Sequence, residues 1–97
     1  MSESDKRLEE WLEVAARRGA SDLHLAVGHR PTIRLHGELV ELNAELLSRE
    51  FVEQGLYGLC NQTQWDQFQL SKNLDFALQR QLAFGPRRFR AKFFFYW

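Results

Sequence analysis

The densest run of cationic side chains in the sequence is Arg87-Arg88-Phe89-Arg90-Ala91-Lys92. In an extended chain, alternate side chains face opposite ways. Arg88, Arg90 and Lys92 then share one face, and Phe89, Ala91, Phe93 and Phe95 share the other. A row of guanidinium groups can grip phosphate, because each offers a planar fork of N–H donors. The same row also suits a solvated outer face, or charges that keep an edge strand from pairing with other chains. The aromatic side chains lie opposite the charges. That placement fits a core better than stacking on nucleobases.

Other reactive sets are missing from the sequence. There is no Gly-rich phosphate loop followed by Lys and Ser or Thr, and no H-E-x-x-H helix. There is no G-x-S-x-G nucleophile turn. His24 and His36 would approach one another if the first two strands pair. A metal needs three or more ligands with supporting partners, so His24, His29 and His36 read as residues of a sheet face or turn, and no metal site is expected. Cys60 is the single cysteine, which excludes an internal disulfide and a multi-cysteine metal site. A reducing cytosol is the simplest compartment for it.

The elements that would carry these residues follow from hydrophobic spacing. Leu8, Trp11, Leu12 and Ala15 recur at helical intervals, with Ser4 as a candidate N-cap and Gly19 as the terminator. From Ser21 the period becomes two. Leu23, Leu25 and Val27 face one way, and Asp22, His24 and Ala26 the other. Gly28 to Pro31 is a turn before a second strand, in which Ile33 and Leu35 oppose Thr32, Arg34 and His36. A reversal at Gly37-Glu38 leads to a third strand, Leu39 to Leu42, although the tightest hairpin dipeptides are absent. Ser48 caps a second helix, with Leu47 and Val52 as its hydrophobic staple. Phe51, Val52, Leu56 and Leu59 form its stripe, weakened by Gly55 and Gly58. Thr63 opens a short helix anchored by Trp65 and Phe68. Leu74 to Leu78 returns to strand character, Gly85-Pro86 marks a turn, and Arg88 to Trp97 reads as a long final strand.

The order is helix, three strands, two helices, then two or three strands. It implies an α+β fold with a mainly antiparallel sheet covered by helices on one face. The 97 residues suffice for one domain, and 13 basic residues balance 13 acidic ones. That balance argues against a general nucleic-acid or membrane-surface binder. No apolar run has the length of a signal peptide or a membrane span. The ending Phe93-Phe94-Phe95-Tyr96-Trp97 is unusually aromatic for a terminus and suggests a domain cut from a longer protein.

Ala20-Ser21-Asp22-Leu23-His24-Leu25, followed by Gly28, Pro31, Arg34, Gly37, Leu39 and Leu42, closely resembles the opening of the PilT-like pilus-retraction ATPases of the type II/IV secretion superfamily. Gln64 and Phe68 fit that family's Q-x-x-x-F helix. Leu74-Asp75-Phe76 fits its x-D-F strand, and Arg88-Phe89-Arg90 its R-F-R strand. The resemblance runs over about residues 5 to 92. The chain departs from it at Lys92 to Trp97, where the family is less aromatic.

The resemblance implies a single N-terminal PAS-like domain over residues 1–97, ending before a further strand, a linker and a RecA-like ATPase domain. In that family such domains pack on the nucleotide domain of their own and neighbouring subunits in a homo-hexamer, and move as rigid bodies during ATP turnover. The resemblance makes Arg90, and less so Arg88, candidates to reach ATP phosphates. ATP with Mg belongs to the longer parent; the chain alone should be inactive. Inner-membrane pilus or secretion platform proteins are the implied partners, nucleic acid is not, and the implied location is the cytoplasm, peripheral to the inner membrane. Asp22, His24 and Arg34 read as fold-specifying residues, with Asp22 either capping the turn after Gly19 or pairing with Arg34. The competing reading is a stand-alone PAS-like sensor or interaction module without enzyme activity.

Overall fold

The computed structural model describes residues 3–42, 44–83 and 85–95, apart from the side chains of residues 3–5 and 76. Its elements are α1 (Glu3–Arg18), β1 (Asp22–Ala26), β2 (Thr32–Leu35), β3 (Glu38–Glu41), α2 (Arg49–Tyr57), α3 (Gln62–Ser71), β4 (Asn73–Leu82) and β5 (Gly85–Phe94). The strands form one sheet in the order β3-β2-β1-β5-β4. Neighbours run antiparallel except β1 and β5, which are parallel. The α+β architecture expected from the sequence is therefore present, with one parallel pair at its centre.

Helix α1 begins at Glu3, so Ser4 lies inside its first turn rather than capping it. Its end follows the sequence. Gly19 has φ +71°, and the N–H groups of Gly19 and Ala20 donate to the carbonyls of Ala16 and Ala15. This left-handed Schellman ending satisfies carbonyls that the helix would otherwise leave bare. The β2–β3 reversal is at His36-Gly37, one residue earlier than expected. Both residues have positive φ, 50° and 83°, and Leu35 pairs with Glu38. This is the twist-matched two-residue hairpin, with His where Asn would be more comfortable.

Ser48 caps α2 as expected, accepting a hydrogen bond from the Phe51 N–H, and Leu47 and Val52 are both buried. The cap of α3 is Asn61, not Thr63. Asn61 accepts from the Gln64 N–H at 2.8 Å, while the Gln64 side chain accepts from the Asn61 N–H at 2.9 Å. Gly85-Pro86 is not the turn but the start of β5, with Pro86 opposite Gln81. The Arg90 N–H donates to the carbonyl of Ser21, just before β1, so even-numbered residues of β5 turn their backbone groups away from β4. Proline is tolerated at position 86 because the N–H it lacks would not have served the β4 ladder. The expected final strand ends at Phe94; its last two residues, Tyr96 and Trp97, lie outside the described residues.

All three helices contribute to one core on the sheet face that carries Leu23, Leu25, Ile33, Phe89, Ala91 and Phe93. Leu8, Leu12, Leu56 and Phe68 fill it from the helices. Each large side chain buried there contributes about 1.5–3 kcal/mol relative to exposure. Phe68 stacks obliquely on Phe95, with ring centroids 4.5 Å apart. At Gly55 α2 comes close to α1: a Cβ there would lie 3.0 Å from Leu8 Cδ2.

Candidate functional site

The opposite, helix-free face of the sheet collects the charged residues. Asp22 sits at the register position of Arg34 on one side and Arg90 on the other. His24 is opposite Thr32 and Lys92, and Lys92 is opposite Asp75. Side chains directly opposite share a face, so four strands contribute to one polar surface. Its ion pairs include diagonal ones. Lys92 Nζ lies 3.3 Å from Asp22 Oδ1, and Arg90 Nη2 donates to Asp75 Oδ1 at 2.7 Å. Arg34 Nε lies 3.5 Å from Asp22 Oδ2, which also accepts from the Ser21 hydroxyl at 2.7 Å.

Asp22 is thus paired with Arg34, one of the two expected alternatives, and with Lys92 besides. Strand β1 is central, and the long side chains of its neighbours cover it, so Asp22 and His24 are buried although they face away from the helices. Burial raises the Asp22 carboxyl pKa, but the Ser21 hydroxyl, the Lys92 ammonium and the His24 ring together hold it below the usual range. Burial lowers the His24 pKa first. Lys92 and Arg34 push the same way, with Asp22 opposing. The His24 ring also meets Phe94 edge-on at 6.0 Å.

The predicted phosphate-gripping residues are placed differently from one another. Arg90 is half-exposed and tethered to Asp75 through one guanidinium nitrogen, with its backbone anchored on Ser21. Arg88 is exposed, and among the described residues no carboxylate pairs with it. Together with Arg87 it lines a cleft of about 240 Å³ at the end of α1. His24 and His36 are not brought opposite each other, because His24 aligns with Thr32 and His36 falls in the turn. Among the described residues no group of three His, Cys, Asp or Glu side chains stands close enough to hold a metal ion. Asp75 belongs to this surface, although no site role was expected of it. Its signal was the alternation of Asp75 with Leu74 in a strand bound for the same sheet.

No protein-family model matches the sequence. Over 85 residues, however, it is 34% identical to the type IV pilus retraction ATPase PilT of Pseudomonas aeruginosa strain PAO1, an alignment covering 88% of this chain. The chain is a PilT-like N-terminal domain. It spans about a quarter of the relative's length, 24%. The crystal structure of the pilus retraction motor PilT with bound ADP superposes with a TM-score of 0.62 at 28% identity, over 89% of this chain and 24% of that one. The Legionella pneumophila ATPase DotB gives 0.65 at 20% identity over 89% of this chain and 23% of that one, a likeness of fold. The element order and sheet of the PilT-like domain agree with the PAS-like arrangement. No helix among its described residues is long and apolar enough to cross a membrane.

Proposed function

We propose that this domain is the N-terminal regulatory and assembly part of a hexameric ATPase that powers type IV pilus retraction, and with it twitching motility, or type II/IV secretion. The carrying observation is the 34% identity to the pilus retraction ATPase PilT over 85 residues. The domain packs on RecA-like ATPase domains of its own and neighbouring subunits in the cytoplasm. Platform proteins of the inner membrane are the remaining partners.

Within this reading Arg90 is the residue that meets ATP phosphate, with Arg88 in a lesser role. The tether to Asp75 runs through Nη2, and a guanidinium carries five N–H groups. Donors therefore remain for a phosphate oxygen while the side chain is held in place. A fixed cation at a transferred phosphoryl group stabilises the charge there. It also makes the domain's position depend on whether the terminal phosphate is present. The 97 residues contain no phosphate loop, so ATP and its Mg would be held mainly by the parent's ATPase domain.

The test is Arg90→Ala in the longer protein. ATPase turnover should fall by about tenfold or more while the domain stays folded, since arginines of this kind contribute at least that much to phosphoryl transfer. Unchanged turnover removes Arg90 from the site. The coding sequence beyond position 97 should contain a Gly-rich phosphate loop, and a reading frame without one removes the mechanism.

A further inference from the structure

The sheet ends on two unlike edges. Strand β3 has four residues and carries Glu38 and Glu41, and a short, charged edge resists pairing with other chains. Strand β4 has ten residues and is paired with β5 at every position from Asn73 to Leu82. Among the described residues no strand lies on its other side. It contains no proline, no lysine and no bulge, the usual guards of such an edge. Its two charged side chains are already engaged within the domain. Asp75 holds Arg90 at 2.7 Å, and Arg80 holds Glu9 at 2.9 Å.

The odd-numbered residues of β5 bond to β4, and they stand opposite even-numbered residues there. The backbone groups of Asp75, Ala77, Gln79 and Gln81 therefore point outward, away from the sheet. The Gln79 carbonyl accepts from the Arg80 guanidinium at 3.2 Å and keeps a second lone pair. All four residues are exposed.

We infer that the outer edge of β4 pairs antiparallel with β4 of a second copy of this chain, about a two-fold axis at Ala77, joining the two sheets into one. Charge complementarity selects the second copy and this register. The axis sets Ala77 against Ala77, Asp75 against Gln79 and Asn73 against Gln81. Each carboxylate meets an amide, and no like charges are opposed. An axis at Asp75 would oppose two carboxylates, and one at Arg80 two guanidinium groups; both also shorten the overlap. The inference does not rest on the ATPase reading. A two-fold contact of this kind is isologous, so in a cyclic hexamer it would join separate rings and not neighbours in one.

The experiment is sedimentation velocity on the 97-residue chain over a concentration series. Edge pairing buries less area than a stable interface, so a monomer–dimer equilibrium with a dissociation constant of about 100 µM is expected. Ala77→Pro removes one outward donor from each copy and should weaken the dimer about tenfold or more. The β4–β5 ladder does not use that N–H. Ala77→Lys sets two ammonium groups across the axis and should weaken the dimer about fivefold. That position is exposed, so the lysine variant keeps the test open if the proline variant fails to fold, which urea unfolding of each reveals. Leu39→Lys, at an exposed residue of the opposite edge, should leave the equilibrium unchanged. A chain still monomeric at about 1 mM overturns the pairing. So does association that Ala77→Lys leaves intact, and loss with Leu39→Lys instead would move the contact to β3.

Discussion

Replacing Asp22 with Asn tests the reasoning about the polar face most directly. The side chain keeps its shape and loses its charge. In the native domain the carboxylate accepts from Ser21 at 2.7 Å and faces Lys92 at 3.3 Å and Arg34 at 3.5 Å. Its side chain is 10% exposed, against 27% for Lys92 and 38% for Arg34. A hydrogen bond to a charged group contributes about 1.5–3 kcal/mol, and Asn would keep about half of that as a neutral acceptor. Each partly exposed ion pair contributes about 0.2–1 kcal/mol, because the freed cations can turn back to water. The expected loss is about 2 kcal/mol, a drop of about 8–16 °C in Tm for a domain of this size. Urea unfolding at pH 7 measures it. The Asp22 carboxyl is held below its usual range, so its contribution is complete above about pH 4 and is lost as pH falls through the lower, folded value. The difference between the two proteins should therefore shrink in acid. A loss under about 0.5 kcal/mol at pH 7, or a difference that does not change with acid, would refute the account of Asp22 as a charged keystone of β1.

Three further outcomes are expected. Phe68→Ala, at a fully buried ring packed on Phe95 and Trp65, should cost about 3–5 kcal/mol, read from the urea midpoint. His36→Asn should stabilise the domain by about 0.5–1 kcal/mol, because position 36 holds φ 50° and Asn tolerates the left-handed region better; a lower Tm would contradict the hairpin assignment. Burial and the neighbouring cations depress the His24 pKa, so the unfolded chain takes up its proton first. Stability should hold above about pH 6.5 and decline as pH falls towards the folded value, and His24→Gln should flatten that slope.

Much of the fold was legible because it is encoded locally. The spacing of Leu8, Trp11, Leu12 and Ala15 marks α1, Gly19 stops it, and Ser48 with the Leu47–Val52 staple starts α2. The α3 cap was also present in the sequence: Gln64 stands three residues after Asn61, the spacing of a reciprocal capping box, and Thr63 drew attention away from it. What was not legible is non-local. Alternation places Arg88, Arg90 and Lys92 on one face, but not which carboxylates they meet. The pairing of Arg90 with Asp75 requires the β4–β5 register, and that of Lys92 with Asp22 requires the parallel alignment of β1 and β5. For the same reason no local pattern marks Asp22 and His24 as buried. A strand that alternates apolar and polar residues reads as half-solvated, and only its central position in the sheet covers the second face.

That central position also bears on how the domain comes into being. The β1–β2–β3 meander and the β4–β5 hairpin each close over short stretches of chain. Within the sheet they are joined along the β1–β5 seam, whose partners lie roughly seventy residues apart, so the seam carries the largest loop-closure entropy of any strand pair. On a ribosome, the first half of the sheet must wait with one edge bare until β5 has emerged. During that interval β1 is an unguarded, Leu-rich strand. Strand β5 therefore acts as the step that completes this sheet, and substitutions along Arg90 to Phe94 should slow refolding more than equally destabilising ones in α3.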